Sequence, residues 1–441
     1  MSTEQTGKTN WVAVITMMFI YGMISFVTNL AAPMGKVWLL QKGIDGSNML
    51  GMMGNMMNFA AYLFMGIPAG KMLAKKGYKF TAMVGIATGF TGVAIQYLSG
   101  LVPFAADGNA IKPFCVYLLG AFVCGFAVCM LNMVVNPMLN LLGGGGNRGN
   151  QLNMIGTTFN SLAGTATPIL VGALIGQITK ETVVADVNLV MYIALAVFAA
   201  AFVILSFIPI KNPEQSSTTD DIPVLAPLKF RHCLLGVIGV FMYVGIEIGI
   251  PATMDLWLSS ANGPLVKAGV KNAAGIAGMM AGTYWFLMLV GRTIGAFIGG
   301  KISSRILMSF TTAVAIILIG IGTQVTDVSS QFFVFTGSGF QAVTVPLTAV
   351  LFALCGLMTS IMWPSTFNLA TEKLGKYTAA ASGLFMVMVV GGGVLPLIQN
   401  GIADKCGHMV SYIVPGLALA YLFVYSSFLS KPPADIEERV K

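Results

Sequence analysis

Long apolar segments recur along the whole chain and are separated by shorter polar stretches. A helix needs about 20 mainly apolar residues to cross the hydrocarbon core of a bilayer. Within each segment the apolar residues are continuous rather than alternating, which excludes the pattern of a transmembrane β-barrel. The pattern predicts an all-α polytopic membrane protein with twelve transmembrane helices. The predicted spans lie near 11–34, 48–73, 80–101, 113–142, 151–176, 187–209, 233–259, 273–299, 306–324, 344–371, 379–403 and 410–429.

The composition agrees with a membrane protein. Of the 441 residues, 56% are hydrophobic and 9% are charged, whereas a soluble domain has about 25% charged residues. The formal net charge of +8 comes from lysines and arginines near the ends of the spans, which indicates a topology signal rather than a nucleic-acid surface. We therefore expect contact with membrane lipid, no nucleic-acid partner and a functional monomer.

No sequence motif indicates a bound cofactor. The six cysteines include no C-x-x-C pair, so neither a metal site nor a disulfide is expected. The chain also lacks the Gly-x-x-x-x-Gly-Lys-Ser/Thr loop that holds ATP phosphates, which argues against ATP as an energy source. We expect no cofactor.

The longest hydrophilic stretch falls at the middle of the chain. It predicts four parts, which are an N-terminal six-helix half (1–210), a cytoplasmic linker (211–232), a C-terminal six-helix half (233–430) and a cytoplasmic tail (431–441). If the N-terminus is cytoplasmic, most of the 24 lysines and arginines face the cytoplasm. The positive-inside rule then places both termini inside a plasma membrane, such as a bacterial inner membrane.

The two predicted halves carry similar segments. The stretch from Gly66 to Gly70 matches Gly291 to Gly295, and Asn136-Pro137 matches Trp363-Pro364, each pair lying about 225 residues apart, as expected of an internal repeat. The first and seventh spans start at a similar offset. Parallel halves of six helices are the arrangement of the major facilitator superfamily.

The region between the second and third spans resembles the cytoplasmic gating motif of that superfamily. Glycines in the motif let neighbouring helices approach, and its cations meet acids or helix ends at the inner face. This sequence departs from the motif because Ala74 stands where an acid is usual. The predicted gating residues, including those of a second copy in the other half, are Gly70, Lys75, Lys76, Gly77, Lys79, Gly291 and Arg292.

A closer resemblance, over nearly the whole chain, is to the fucose–proton symporter family, which includes glucose/galactose permeases. It is carried by Asn136-Pro137, Phe159-Asn160-Ser161, Gly291-Arg292, Pro364, Gly391-Gly392-Gly393 and Asp404. The resemblance implies import of a monosaccharide, a neutral hexose or deoxyhexose, by alternating access coupled to protons or sodium. Two acids credited with proton coupling in that family are absent, because Ala31 or Ala32 and Asn132 stand at their positions. We therefore do not carry over the family's proton mechanism.

The seventh span is apolar but contains two acids, Glu247 and Asp255. A charged side chain near the bilayer centre costs about 2.5–3.5 kcal/mol, so such an acid predicts a function. The two acids are about 12 Å apart along a helix, and both can face one cavity. Pro251 lies between them and predicts a bent or locally unwound helix whose freed carbonyls would suit a sodium ion. Proton and sodium coupling both stay open, and packing roles are the alternative.

Amide and aromatic side chains in the apolar spans suit a sugar. Amides both donate and accept hydrogen bonds, and an aromatic ring can stack on one face of a pyranose; the candidates for stacking are Trp257, Tyr284, Trp285 and Trp363. The alternative for each amide is a helix–helix contact. The predicted substrate-binding residues are Asn29, Asn132, Asn136, Asn160, Trp363 and Asn368.

Three other functions are weighed against a neutral-sugar transporter. A permease for an acidic or amino sugar, such as a sialic acid or an N-acetylhexosamine, would need a buried cation, and Arg148 and Arg292 are predicted near the inner face. A transporter-like sensor is a more distant alternative. An enzyme is disfavoured because both histidines, His232 and His408, lie at span ends.

Overall fold

A computed structural model describes residues 11–142, 146–175, 184–208, 223–298, 302–335 and 340–436. This part of the chain is helical apart from one β-hairpin and short turns. The α-helices are α1 (Trp11–Trp38), α2 (Asn48–Gly51), α3 (Met53–Ser99), α4 (Ile111–Leu142), α5 (Gly146–Ile175), α6 (Asn188–Phe207), α7 (Arg231–Ser259), α8 (Pro264–Lys267), α9 (Ala273–Ile298), α10 (Ser304–Gly322), α11 (Leu347–Thr359), α12 (Met362–Thr371), α13 (Thr378–Met388), α14 (Gly391–Cys406), α15 (His408–Ser411) and α16 (Ile413–Val424). The strands are β1 (Ser329–Phe335) and β2 (Phe340–Pro346).

The predicted all-α polytopic fold is confirmed. Within the described ranges, ten helical segments are long and apolar enough to cross a membrane. The other two predicted spans, 48–73 and 151–176, lie in α2–α3 and in α5, which carry more polar residues. The last three spans are each divided into two helices. Pro364 explains one division, because it lies in the first turn of α12, where proline is tolerated.

Gly77 separates the second and third spans. Its φ of 83° and ψ of 177° are non-helical and break α3 in two. This backbone region is essentially restricted to glycine, since a Cβ would be strained there. The glycine of the predicted gating motif therefore has a structural task, which is to end one span and begin the next.

The bundle has two ends, named here by one residue each. The Lys75 end carries Gly77, and Lys79 there contacts the end of α6. The Asp404 end carries the start of α2, since the Ser47 hydroxyl donates to the Asp404 carboxylate over 3.0 Å. Consecutive spans alternate in direction between these ends, so α1 and α7 both run from the Lys75 end to the Asp404 end.

The two predicted halves meet along several helices. In the N-terminal half α3 packs on α4 and α1 on α5, while α5 contacts α9 and α3 contacts α13 and α14 of the C-terminal half.

The triple glycine permits close packing, because a Cβ on Gly391 would lie 2.0 Å from the carbonyl oxygen of Phe241. Most of the predicted linker (211–232) lies outside the described residues, and α7 already begins at Arg231. The predicted tail is described only to residue 436.

The β-hairpin was not predicted. Strands β1 and β2 pair antiparallel, with Ser329 opposite Pro346 and Phe335 opposite Phe340. They connect α10 to α11 at the Asp404 end. A search for apolar segments of spanning length does not detect strands of seven residues. The tenth span was therefore predicted to begin at 344, which lies inside β2.

Candidate substrate and ion-coupling site

A cavity lies between the two halves of the bundle. Its volume is about 60 Å³, well below the roughly 300–1,000 Å³ of small-molecule sites, so the cavity is narrow in this conformation. Its wall combines apolar side chains with a few amides and charges. The lining residues are Thr28, Asn29, Pro33, Lys36, Met52, Asn55, Val171, Ile248, Pro251, Ala252, Asp255, Ala274, Gly275, Gly278, Ala281 and Trp285.

Two amides and one indole form much of the polar wall. The Asn29 amide donates to the carbonyl of Ser25 over 2.9 Å and to the Ser25 hydroxyl over 3.2 Å. Asn55 donates to the carbonyl of Gly392 over 2.8 Å and so connects the two halves. Trp285 is buried among them. A cavity with amides beside an aromatic face can hydrogen-bond a polar solute and pack on its apolar surface.

A buried ion pair closes the cavity toward the Asp404 end. The Lys36 ammonium lies 2.5 Å from Oδ1 of Asp255 and also donates to the carbonyl of Ala274 over 3.2 Å. Lys36 is 8% exposed and Asp255 is 4% exposed. Because Lys36 is on α1 and Asp255 on α7, this pair joins the N-terminal half to the C-terminal half.

Glu247 forms a second polar cluster, about two helical turns deeper. Its Oε1 lies 3.3 Å from Nη2 of Arg292. The Arg292 guanidinium also donates to the Ser161 hydroxyl over 2.7 Å and to the carbonyl of Thr157 over 3.2 Å, both on α5. Glu247 and Arg292 both belong to the C-terminal half, whereas the two α5 acceptors belong to the N-terminal half.

The position of Arg292 differs from the sequence interpretation, which placed it near the inner face. Its side chain is largely buried and bonded to Glu247. Helical side chains lean toward the N-terminus of their helix, and the N-terminus of α9 lies at the Asp404 end. The long arginine side chain therefore extends toward the middle of the bundle. Its gating role stays a prediction.

Helix α7 does not unwind at Pro251. The structure keeps α7 helical from Arg231 to Ser259 with Pro251 inside it, so of the two predicted alternatives local unwinding is excluded and a bend stays a prediction. Neighbouring helices enclose this stretch, and the Tyr412 hydroxyl donates to the carbonyl of Ile250 over 3.0 Å. Pro251 leaves the carbonyl of Glu247 without its helical donor, and the packed environment keeps the helix continuous across this position. A sodium site made of carbonyls from an unwound segment is therefore not supported.

Among the amides predicted to bind substrate, Asn29 lines the cavity. Asn132 instead donates to the Tyr62 hydroxyl over 2.9 Å, and Asn160 donates to the carbonyl of Tyr21 over 3.3 Å. Both contacts hold helices of the N-terminal half together. Substrate roles for Asn132 and Asn160 stay predictions without support from the cavity wall.

Two further predicted substrate residues, Trp363 and Asn368, are also away from the cavity. Trp363 is half-buried and packs its ring 6.0 Å from that of Tyr243. Asn368 is exposed on α12. The side chain of Asn136 lies outside the described part of the structure. Their roles remain untested.

The basic residues of the gating motif stay within the N-terminal half. Lys79 donates to the carbonyls of Ser206 over 2.8 Å and Ile208 over 2.9 Å, where a cation complements the partial negative charge of the end of α6. Lys75 and Lys76 are exposed. These contacts are structural, and a gating function stays a prediction.

The motif glycines permit close approach to different degrees. A Cβ on Gly291 would lie 2.3 Å from the Ser360 hydroxyl oxygen, so α9 and α11 pack closely there. At Gly70 the nearest atom, Cε of Met133, would be at an ordinary 3.5 Å. Gly291 is therefore needed for packing, whereas Gly70 is not constrained in this conformation.

Lys36 is the functional candidate that the sequence interpretation missed. The first span was predicted to end at 34, which leaves Lys36 outside the helix, whereas α1 continues to Trp38. A helical signal was present, since Ser25, Asn29 and Lys36 are four and seven residues apart and so share one face of a helix. That face lines the cavity through Asn29 and Lys36.

Comparisons with known proteins find relatives over most of the chain. The glucose/galactose transporter of Brucella abortus is 30% identical over 382 residues, which cover 85% of this chain and 84% of that protein. The L-fucose-proton symporter of Escherichia coli is 24% identical over 407 residues, covering 85% and 83%. The crystal structure of the Escherichia coli fucose:proton symporter superposes with a TM-score of 0.65 at 18% identity, covering 95% of this chain and 98% of that one. A scan against protein-family models gave no match.

Proposed function

The chain belongs to the fucose–proton symporter family of the major facilitator superfamily, and we propose that it is a secondary active transporter that imports a monosaccharide by alternating access. The observation that carries this proposal is the cavity between the two halves. It lies where transporters of this architecture bind substrate, at the interface of the repeats. The family relation also argues against an enzyme, because the relatives are transporters.

The charges of the cavity support a neutral sugar. Within the described residues, the buried cation Lys36 is paired with Asp255, and Arg292 is paired with Glu247. Each cation is thus neutralised by an acid of α7. An acidic sugar such as a sialic acid would have to compete with these carboxylates, so a neutral hexose or deoxyhexose is the better match.

Transport is coupled to protons or sodium through the acids of α7. A buried carboxylate favours association with a cation, because an uncompensated charge is costly away from water. Glu247 and Asp255 are the two acids at cavity depth on this helix. The Asp404 end faces the outside and the Lys75 end the cytoplasm of a bacterial inner membrane, with both termini cytoplasmic, and the monomer is the functional unit.

The test is transport by the purified protein in proteoliposomes. Radiolabelled glucose, galactose and fucose are first compared by counterflow, and accumulation is then measured under separately imposed sodium and pH gradients. Counterflow of at least one monosaccharide, with accumulation under one gradient, is expected. Absence of counterflow for all three, in protein that is correctly folded, would contradict the proposal.

Two tryptophan variants test the location of the sugar. Trp285→Ala removes the indole of the cavity wall and is expected to raise KM about tenfold, within the energy that a well-placed aromatic contributes. Trp363→Ala is the matched control, because Trp363 packs on Tyr243 away from the cavity. A larger effect of Trp363→Ala would place the sugar at Trp363 instead.

A further inference from the structure

The two acids of α7 differ in where their cationic partners are attached. Arg292, the partner of Glu247, lies on α9 in the same half of the protein. Lys36, the partner of Asp255, lies on α1 in the other half. In alternating access the two halves rock against each other around the central site. The Glu247–Arg292 pair lies within one half, although Arg292 also donates to α5 of the other half, whereas in the Lys36–Asp255 pair the two charges themselves belong to different halves.

The Lys36–Asp255 pair is formed while the Asp404 end is closed. On the same side, the carboxylate of Asp404 on α14 accepts hydrogen bonds from Ser47 and Asn48 of the other half. Opening this end moves α1 away from α7 and so separates the ammonium from the carboxylate. Asp255 then faces a hydrated cavity without its cation. The carboxylate can then bind another cation from the cavity, and it must keep a cation when the end closes again, because an unpaired buried charge is strongly unfavourable.

From this geometry we propose that Lys36 is an internal cation that competes with the coupling ion for Asp255. This inference rests on the proposed sugar symport. In the open state a proton or a sodium ion occupies Asp255, and when the Asp404 end closes, the Lys36 ammonium returns to the carboxylate. The displaced ion leaves through the cavity toward the Lys75 end. Lys36 is thus a positioning residue that makes release of the coupling ion part of closure.

The contacts of Lys36 agree with this role. Its ammonium has three donors; one is directed at Asp255 and one at the carbonyl of Ala274. Both acceptors lie in the C-terminal half, and both residues line the cavity. An ion approaching Asp255 from the cavity therefore meets the same oxygen atoms that hold Lys36.

The experiment compares Lys36→Gln, Asp255→Asn and the double variant with wild type. Lys36→Gln removes the competitor, so the concentration of coupling ion needed for half-maximal counterflow should fall about tenfold, a typical coupling between sites. Asp255→Asn should keep counterflow but lose both its ion dependence and gradient-driven accumulation. The sodium and the pH arms, run separately, identify the ion.

The double variant guards against a folding artefact. A single substitution leaves one buried charge unpaired, which can itself destabilise a protein, whereas Lys36→Gln with Asp255→Asn removes both charges. The double variant should behave like Asp255→Asn in transport. The matched control is Glu372→Gln, because the Arg305–Glu372 pair lies within the C-terminal half at the Lys75 end. This control should accumulate sugar like wild type.

Two results would overturn the proposal. One is wild-type accumulation in the double variant, and the other is an unchanged ion requirement in Lys36→Gln. Direct sodium binding and proton uptake by the purified protein without sugar separate this inference from sugar transport. If the wild type moves no monosaccharide but Lys36→Gln still binds the ion about tenfold more tightly, sugar transport is refuted and the role of Lys36 stands.

Discussion

Asp404 connects the two halves at the end that we propose faces outside, and its removal should open that end. Its carboxylate accepts hydrogen bonds from the Ser47 hydroxyl at 3.0 Å, the Asn48 backbone at 2.8 Å, the Asn48 amide at 2.8 Å and the Met49 backbone at 3.0 Å. These donors surround the first turn of α2, in the N-terminal half. Asp404→Ala removes all four contacts in one change.

The free energy that these four contacts contribute to the closed state depends on the exposure of Asp404. A hydrogen bond to a charged group contributes about 1.5–3 kcal/mol when sheltered, but Asp404 is exposed and water competes for its oxygens. We therefore assign about 0.5 kcal/mol to each contact, close to the value for exposed ion pairs. The four together stabilise the closed end by about 2 kcal/mol, which shifts the closed-to-open ratio by a factor of about 30.

The assay is the reactivity of one cysteine in the cavity wall. Met52 is 2% exposed and lines the cavity, so Met52→Cys reports when the Asp404 end opens. The exposed native cysteines, Cys115 and Cys406, are replaced by serine in this background. Reaction with a membrane-impermeant thiol reagent added outside whole cells should be up to about 30-fold faster with Asp404→Ala, as the population shift requires.

Asp107→Ala is the control for this measurement. The Asp107 carboxylate accepts a hydrogen bond from the backbone N–H of Asn109 in the same loop, so this contact does not connect the two halves. It should leave the rate of cysteine modification unchanged. An unchanged rate with Asp404→Ala as well would refute the view that these contacts hold the two halves together.

Two further variants test the coupling acid and the break in α3. Glu247→Gln should abolish gradient-driven accumulation and retain counterflow, because it removes the ionisable group beside Arg292; undiminished accumulation would remove Glu247 from coupling. Gly77→Ala should lower the free energy of unfolding by about 1–3 kcal/mol, because its backbone conformation excludes a Cβ. The unfolding midpoint in detergent checks this, against Gly320→Ala, whose added methyl would meet nothing within 4 Å; an equal loss in both variants would contradict the reason given.

The fold could be predicted from sequence because the bilayer imposes one simple rule on each segment. A spanning helix needs about 20 apolar residues whatever its neighbours are, so α1, α4 and α7 are visible in isolation. The hairpin of β1 and β2 was missed because its strands are too short for that rule. Whether α7 unwinds at Pro251 could not be decided from sequence, because it depends on how the neighbouring helices pack against this stretch.

The site was harder to predict because polar residues in membrane helices have two uses. An amide can bind substrate or join helices, and sequence alone does not distinguish the two. Asn29 and Asn132 are both amides in apolar spans, yet Asn29 lines the cavity and Asn132 bonds to Tyr62. What separates them is the helix that each side chain faces, and this is settled by the packing of α1, α3 and α4.

Lys36 shows why charge counting cannot locate a functional cation. The positive-inside rule assigns a lysine by its place in the sequence, and a lysine near a span end usually extends toward water. Lys36 turns inward because Asp255 and the carbonyl of Ala274 offer it two acceptors in the opposite half. Glu247 is also an acid of α7, but its partner Arg292 lies on α9 of the same half. An ion pair separates when the halves move apart only if its two residues belong to different halves. Which half supplies each partner is a property of the tertiary structure and cannot be read from the sequence.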